Sequence, residues 1–350
     1  MQQDLELVKD KFKVFPRKKL AFFPTPVHKL EKLSELFGVN LYLKRDDLSG
    51  IIEFSGNKMR KLEYLLGDAI AQGADTVITF GPTQSNHAMQ TVSACRAAGL
   101  KPILYLTTFV DFDENDIRAN MLVDEIMGAE IHIVPSNGEP MFIAYERSYA
   151  LAKERAEELK SEGHKAYTIP VGGTSPVGDI GFAEAIIELH QQMMDAGVKM
   201  DYIAHSTGSG GMLAGLAAGK ALIESDVKIL SFRASEKKDD HPDWVAEIAT
   251  EILQRLGSDK KVTAQDLNMD ATYFGPGYEK PNALSDEAIK LLARNEGILI
   301  DPVYGSKALA GLFDYIRKGK VPKGSNVVFW HTGGTVAFFA EKEIIGDIKN

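Results

Sequence analysis

The chain has 350 residues, of which 44% are hydrophobic and 25% are charged, a composition typical of a soluble globular protein. Its length predicts two domains, or one large α/β unit with an inserted lobe. The net charge of −9 argues against a nucleic acid or an anionic membrane as the partner. The longest apolar stretch is shorter than a membrane span, and the N-terminus lacks the pattern of a secretion signal.

A single cysteine, Cys95, is present, so the chain cannot form an internal disulfide. This composition fits a reducing compartment, and we expect a cytoplasmic protein. Cys95 lies among small residues in a helical pattern, which predicts a packed helix residue rather than a nucleophile.

From about residue 40 onward, strand patterns alternate with helical patterns. This alternation predicts an α/β fold with parallel sheets covered by helices. The predicted buried strands are Thr76–Phe80, Pro102–Leu106, Glu130–Val134, Tyr202–Ala204, Val227–Phe232 and Asn326–Trp330. The predicted helices are one with the apolar stripe Leu62, Leu65, Leu66, Ala69 and Ile70, and others over Asn86–Ala98, Ala144–Ser161 and Met212–Leu222.

The domain division is less sharply marked, because no linker rich in proline, glycine or serine announces a boundary. The strand–helix units from about 57 to 170 are expected to form a smaller α/β domain. Residues 1–56 and 171–350 would then form a larger α/β domain. Each domain would contain a mainly parallel, twisted sheet covered by helices.

Three polar or glycine-rich loops follow predicted strands, the position at which ligands gather in open α/β sheets. The first contains Ser85 and Asn86, which fit helix caps as well as ligand contacts. The second, His205–Gly211, precedes a helix, and free N–H groups at a helix N-terminus beside glycines bind phosphate. The third contains Thr332, a neutral hydroxyl that could face a heteroaromatic nitrogen.

Lys58 follows a Gly-Asn turn and begins an amphipathic helix, an unusual position for a solvated lysine. Most lysines are surface groups, so this residue alone would indicate little. Together with the three loops, it supplies an amine beside a phosphate cradle, a partner for a ring hydroxyl and a partner for a ring nitrogen. This combination predicts a site at which pyridoxal phosphate (PLP) is held by Lys58 as a Schiff base.

Six short motifs extend this interpretation over nearly the whole chain, from about residue 23 to residue 339. They are Gly56-Asn-Lys-Met-Arg-Lys-Leu-Glu-Tyr, Gln84-Ser-Asn-His, Thr207-Gly-Ser-Gly-Gly, Gly277-Tyr, Pro302-Val-Tyr and His331-Thr-Gly-Gly. In content and order they resemble the D-cysteine desulfhydrase and 1-aminocyclopropane-1-carboxylate (ACC) deaminase branch of the tryptophan-synthase-β-like PLP enzymes. The resemblance implies two domains with PLP in the cleft between them, a larger domain that binds the cofactor, and a homodimer.

The resemblance also implies roles for individual residues. Lys58 would carry PLP and then act as general base on the α-proton of a small amino-acid substrate. Ser85 would hold the substrate carboxylate, while Tyr278 and Tyr304 would flank the reacting atoms. The residues implied to bind the cofactor are Lys58, Asn57, Asn86, Thr207, Gly208, Ser209, Gly210, Gly211 and Thr332, and no metal ligand is implied.

The expected substrate depends on a few positions. Thr332 resembles the hydroxyl that meets the pyridine nitrogen in desulfhydrases, and a neutral partner suits β-elimination better than transamination. The corresponding motif in the ACC deaminases that the chain resembles is Pro-Val-Tyr-Glu-Gly-Lys. This chain has Gly305 and Ser306 after the tyrosine. We therefore expect α,β-elimination on a β-substituted amino acid, with D-cysteine giving pyruvate, hydrogen sulfide and ammonia. ACC deamination and a lyase reaction on L-cysteate are the alternatives.

Two further classes of protein stay open. A nicotinamide-dependent oxidoreductase could use the His205–Gly211 loop as its phosphate cradle, but the glycines of that loop lack the dinucleotide spacing. A catalytically inactive binding protein would keep the fold, bind PLP and turn over no β-substituted amino acid. The desulfhydrase pattern that the chain resembles is Pro-Val-Tyr-Thr/Ser-Gly-Lys, whereas this chain has Gly305 before Ser306. This exchanged order keeps the last option open.

Overall fold

The structure is a computed structural model that describes residues 2–109, 113, 117–280 and 282–340. The last part of the predicted larger domain, 341–350, lies outside these residues. The strands are β1 (Val27–Lys29), β2 (Asn40–Arg45), β3 (Thr76–Pro82), β4 (Lys101–Thr108), β5 (Glu130–Pro135), β6 (Ala166–Ile169), β7 (Tyr202–Thr207), β8 (Lys228–Arg233), β9 (Met269–Asp270) and β10 (Asn326–His331). The α-helices are α1 (Gln2–Asp10), α2 (Glu31–Phe37), α3 (Lys58–Ala71), α4 (Asn86–Ala98), α5 (Ala119–Ile126), α6 (Met141–Ser161), α7 (Pro176–Asp195), α8 (Gly211–Leu222), α9 (His241–Arg255), α10 (Ala283–Glu296) and α11 (Gly305–Arg317).

The strands form two sheets. The smaller sheet has the order β5-β4-β3-β6 and is parallel throughout. The larger sheet has the order β1-β2-β10-β7-β8-β9 and is parallel except for the antiparallel pair β1–β2. The α/β class with mainly parallel sheets is therefore confirmed. The smaller sheet comes from residues 76–169, whereas the domain boundaries themselves stay a prediction.

Each sheet is covered by helices that bury apolar faces. The central strands β3 and β7 are buried along their whole length, as expected for parallel strands covered on both faces. Helix α8 approaches α7 so closely that a Cβ at Gly215 would overlap Asp179 and a Cβ at Gly219 would overlap Ile186. This contact fixes the N-terminus of α8 above the carboxyl end of β7.

The predicted elements agree with the structure in position, although the ends differ. All six predicted strands are present, and five of them extend by one to three residues at one end or both. The prediction for Ile70 was wrong, since its side chain is 42% exposed in the last turn of α3 while the rest of that stripe is buried. Cys95 lies on α4 and is buried in the core, as predicted. In the described part of the chain, no helix is both long and apolar enough to cross a bilayer.

Candidate active site

A backbone hydrogen bond joins the N-terminus of α3 to the loop after β10, next to Lys58. The backbone N–H of Asn57, which precedes the helix, donates to the Thr332 carbonyl oxygen at 3.1 Å. Gly56 permits this approach, because a Cβ there would lie 2.5 Å from the same oxygen. Asn57 and Thr332, both predicted to bind the cofactor, are thus held together on neighbouring segments next to Lys58.

A buried ionic network beneath this junction fixes the orientation of α3. The Arg60 guanidinium donates to the Asp46 carboxylate at 2.8 Å and to Glu188 on α7 at 2.9 Å. The Trp330 indole N–H also donates to Asp46, at 2.8 Å. Because a buried charge is tolerated only when it is paired and hydrogen-bonded, this network restrains the first turn of α3 against both α7 and β10.

The Lys58 amine is held where it can be neutral near physiological pH. Burial, together with the positive charge of Lys61, lowers the pKa of Lys58 to about 7, and Asp179 offsets part of the shift. Among the residues that the structure describes, Lys58 has no hydrogen-bond or ion-pair partner. A neutral lysine amine is a nucleophile and a base, whereas the ammonium form is neither.

The loop between β7 and α8 forms a cradle for an anion. Gly210 has φ of 95°, and a Cβ there would lie 2.5 Å from Val245, so glycine is required for both conformation and space. Helix α8 begins at the next residue, and its first N–H groups have no intrahelical partners. The Thr207 hydroxyl, also at this end of β7, is buried without a hydrogen-bond partner. Ser209 is held by a 2.6 Å hydrogen bond to Thr174.

Lys61 is a member of the site that the sequence analysis missed. It lies one helical turn beyond Lys58 and is almost fully buried, with Nζ 2.7 Å from Asp179 Oδ1. Nζ also donates to the Gly172 carbonyl and the Thr174 hydroxyl, at 3.0 and 3.1 Å. A side chain at Gly211 would overlap both Lys61 Nζ and the Asp179 carboxylate. The cradle therefore has a buried cation directly beside its helix N-terminus. The available signal was a second lysine at i+3 within an otherwise buried helical face.

Ser85 and Asn86 lie at the N-terminus of α4, facing the same region. The Ser85 hydroxyl accepts from the Ala88 N–H at 3.1 Å, so it caps the helix and keeps its own proton free to donate. Asn86 Oδ1 accepts from the Asn120 side chain at 2.9 Å. This contact leaves Asn86 Nδ2 as a donor, directed to within 2.7 Å of where a Cβ of Gly334 would lie. The Asn86 amide is thus oriented as a donor beside the loop of Thr332.

Tyr278 and Tyr304 form a pair on the other side of the cradle. Their hydroxyl oxygens are 2.6 Å apart, and their rings meet edge to face. The backbone around Tyr304 is fixed by the buried Asp301 carboxylate, which accepts three N–H groups from Val303, Tyr304 and Gly305. Tyr304 also lies against the cradle, since a Cβ at Gly208 would be 3.3 Å from its ring. Burial raises the pKa of both phenols, so each keeps its proton at neutral pH.

These residues fit PLP in their chemistry. The cradle of Gly210 and Gly211, with the unpaired Thr207 hydroxyl and the Lys61 ammonium, provides donors and a cation for a phosphate. Lys58 offers an amine at the N-terminus of α3, and Asn86 offers a donor at the N-terminus of α4. The predicted cofactor residues on α3, α4, the β7–α8 loop and the β10 loop are therefore grouped in one region. Their individual contacts with PLP stay a prediction.

Comparison with known proteins agrees with this chemistry. Residues 18–333 match the family model described as pyridoxal-phosphate dependent enzyme. The chain belongs to this family of PLP-dependent enzymes. The chain is similar over nearly its whole length to proteins named 1-aminocyclopropane-1-carboxylate deaminase. The Burkholderia ambifaria protein is 36% identical over 335 residues, covering 94% of this chain and 97% of the relative. The Burkholderia multivorans protein is 35% identical over 338 residues, covering 95% and 98%.

A solved structure shows the same likeness in three dimensions. The crystal structure of an ACC deaminase homologue superposes with a TM-score of 0.86 at 36% identity, covering 97% of this chain and 98% of that one. A threonine deaminase structure, with 18% identity and a TM-score of 0.61, shares the fold alone. This PLP enzyme is thus an amino-acid lyase or deaminase of the ACC deaminase and D-cysteine desulfhydrase type, as the motifs predicted.

Proposed function

We propose that this enzyme deaminates a small amino acid to a 2-oxo acid with release of ammonia. The observation that carries the proposal is the Lys58 amine, with a pKa lowered to about 7, on a helix that also carries the cation of the phosphate cradle. PLP, when bound, supplies an electron sink for cleavage of a bond at the substrate α-carbon. The protein itself has to bind and orient the substrate and to move protons.

Each part of that task has a candidate residue. Lys58 Nζ would hold the cofactor, and its neutral amine would take up a proton from the substrate as general base. The Ser85 hydroxyl proton is available to hold the substrate carboxylate at the N-terminus of α4, where the helix dipole favours an anion. Tyr278 and Tyr304 keep their protons at neutral pH and are suited to donate to a leaving group or to a developing carbanion.

As the first substrate we propose ACC. The supporting observation is that relatives covering nearly the whole chain at 35–36% identity carry the name ACC deaminase. The similar solved structure is described as that of an ACC deaminase homologue. These names support ACC better than they support the D-cysteine assignment expected from the motifs. With ACC, the ring would open and the product would be 2-oxobutyrate and ammonia.

D-cysteine is the second candidate, because two positions favour it. Thr332 offers a neutral hydroxyl at the loop that approaches Lys58. Gly305 stands where the ACC deaminase pattern has an acid, and a Cβ there would lie 2.6 Å from Ile300 Cγ1 and 2.7 Å from Asp301 Oδ1. An acidic side chain therefore does not fit at 305 without a shift of its neighbours. L-Cysteate, with a sulfonate in place of the thiol, belongs to the same second candidate.

The test is a substrate panel with PLP-loaded protein. ACC, both enantiomers of cysteine, and L-cysteate are supplied separately, and 2-oxobutyrate, sulfide, sulfite and ammonia are measured. We expect 2-oxobutyrate from ACC, and its loss in Lys58→Ala but not in the surface variant Lys13→Met. Sulfide from D-cysteine without any product from ACC would move the assignment to the second candidate. Bound PLP without ammonia from any of the four would contradict the proposed deamination.

Two further predictions concern the protein as a whole. We propose a homodimer, which sedimentation of the PLP-loaded protein would test by its mass. A cytoplasmic location also stays a prediction, and localisation of a tagged chain would check it.

A further inference from the structure

Lys307 is a buried lysine close to the site, with no part in the chemistry described above. It lies in the first turn of α11, three residues after Tyr304, and its side chain is almost fully buried. Its ammonium donates to the Gly277 carbonyl at 2.8 Å, and the Ala234 carbonyl oxygen is 3.5 Å away. Burial of a lysine is costly, and an apolar residue would fill this position more cheaply. A lysine buried at this position therefore indicates that its ammonium has a specific role.

The segment that Lys307 contacts has an irregular backbone. We call residues 272–280 the Tyr278 loop. Three of its residues have positive φ: Gly275 at 71°, Gly277 at 154° and Glu279 at 55°. A loop of this kind has few repeating hydrogen bonds of its own, so its conformation depends on contacts from outside.

Two such contacts come from α11 and the residue that precedes it. At one point, the Tyr304 hydroxyl meets the Tyr278 hydroxyl at 2.6 Å. At the other, Lys307 holds the carbonyl of Gly277, the residue immediately before Tyr278. Tyr304 itself is fixed by the Asp301 carboxylate through its backbone N–H at 2.6 Å. The Tyr278 loop is therefore attached to this part of the chain at two points, through the Tyr278 hydroxyl to Tyr304 and through the Gly277 carbonyl to Lys307.

We propose that Lys307 is a positioning residue, whose ammonium holds the Gly277 carbonyl and thereby keeps the Tyr278 phenol against Tyr304. This inference rests on the proposed function only where it assigns the two phenols a part in turnover. Its structural part, the attachment of the Tyr278 loop to α11, stands without any substrate. A carbonyl held by a charged donor is retained more strongly than by a neutral one, which accounts for a lysine at this position.

The test compares Lys307→Met with Lys44→Met in the full-length, PLP-loaded protein. Lys44 is an equally buried lysine that pairs with Glu188 on α7. Hydrogen–deuterium exchange is followed by mass spectrometry on peptides covering 272–280. We expect Lys307→Met to speed exchange in the Tyr278 loop about tenfold or more, and Lys44→Met to leave that loop unchanged. Unchanged exchange in Lys307→Met, or the same increase in both variants, would overturn the proposal.

A double-mutant cycle separates positioning from simple loss of stability. Lys307→Met is combined with Tyr278→Phe, and turnover of the best substrate in the panel is measured. If Lys307 acts through the Tyr278 phenol, its removal lowers kcat about tenfold in the wild type and much less in Tyr278→Phe. Equal losses in both backgrounds would contradict that role. If no amino acid is turned over, the proposed function fails, while the exchange experiment still decides the role of Lys307.

Should Lys307→Met not fold, Lys307→Gln replaces it. Its amide keeps an N–H donor on a shorter side chain that does not reach the Gly277 carbonyl. The same loss of protection in 272–280 is expected, and full protection would overturn the proposal.

Discussion

Lys61 Nζ lies 2.7 Å from Asp179 Oδ1, and both groups are buried against Gly211 at the first turn of α8. The pair holds a cation beside a helix N-terminus, where anions bind. Asp179 stabilises that cation before the phosphate arrives, and burial raises the pKa of the Asp179 carboxyl against the effect of Lys61. A phosphate in the cradle would meet a lysine that is already in position.

The first prediction follows from this pair. Lys61→Met should weaken PLP binding about ten- to hundredfold, the effect of one charge-assisted hydrogen bond of about 1.5–3 kcal/mol. Titration of the apo protein with PLP, followed by absorbance, measures the dissociation constant. Lys13→Met, a change on an exposed helix-end lysine, serves as the control and should bind PLP as the wild type does. Unchanged affinity in Lys61→Met would exclude Lys61 from the cradle.

Asp179→Asn should lower the free energy of unfolding of the whole protein, in addition to its effect on the phosphate cradle. It leaves Lys61 buried without its carboxylate, and breaking a buried ion pair from one side costs about 3–5 kcal/mol. Lys61→Met should cost less, because Asp179, with its raised pKa, can take up a proton. Urea unfolding of the two apo variants checks the order, and a larger loss in Lys61→Met would be inconsistent with this explanation.

Lys58 should make the stability of the apo protein depend on pH. Its folded pKa of about 7 lies below the unfolded value of 10.5, so the unfolded chain binds more protons between these two values. The free energy of unfolding should therefore rise with pH across this window, by at most about 1.4 kcal/mol per pH unit from this group. Lys58→Met removes the contribution. Its stability advantage over the wild type should be largest at pH 7 and shrink towards pH 10, whereas a constant difference would refute the lowered pKa.

Neighbouring positions on α11 should respond in opposite ways to alanine. Gly305→Ala places a Cβ 2.6 Å from Ile300 Cγ1 and should cost about 1–3 kcal/mol of unfolding free energy. Ser306→Ala removes a buried hydroxyl that has no hydrogen-bond partner, so it should be neutral or slightly stabilising. Thermal unfolding of both variants measures the contrast. Equal melting temperatures would show that position 305 accommodates a Cβ, contrary to the short distances there.

Much of this structure could be predicted from local sequence. The apolar runs gave the strands near the site, and Ser85 and Gly99 delimit the helix Asn86–Ala98 as predicted. Four strands were not predicted, namely β1, β2, β6 and β9. Three of them, β1, β6 and β9, have only two to four residues, so few residues carry each pattern. Their pairing is decided by neighbours distant in the chain, such as β10 for β2.

The site was predicted where a residue type and its loop sufficed, and missed where the function depends on a distant partner. Lys58 was recognised because it follows a Gly-Asn turn at the start of a helix, and Ser85 because it occupies a helix-capping position. Lys61 acquires a meaning only when Asp179, more than a hundred residues later, is packed beside it. The same holds for Lys307, whose partner Gly277 lies in an irregular loop. Long-range packing, rather than local propensity, brings these charges to the cofactor region.

The most direct test of the central claim is the identity of the lysine that carries PLP. The PLP-loaded protein is reduced with borohydride, digested, and its modified peptide is sequenced by mass spectrometry. We predict a stoichiometric modification of Lys58 that is absent in Lys58→Ala. Modification of Lys61 instead, or of no lysine in a protein that retains PLP, would contradict the site described here.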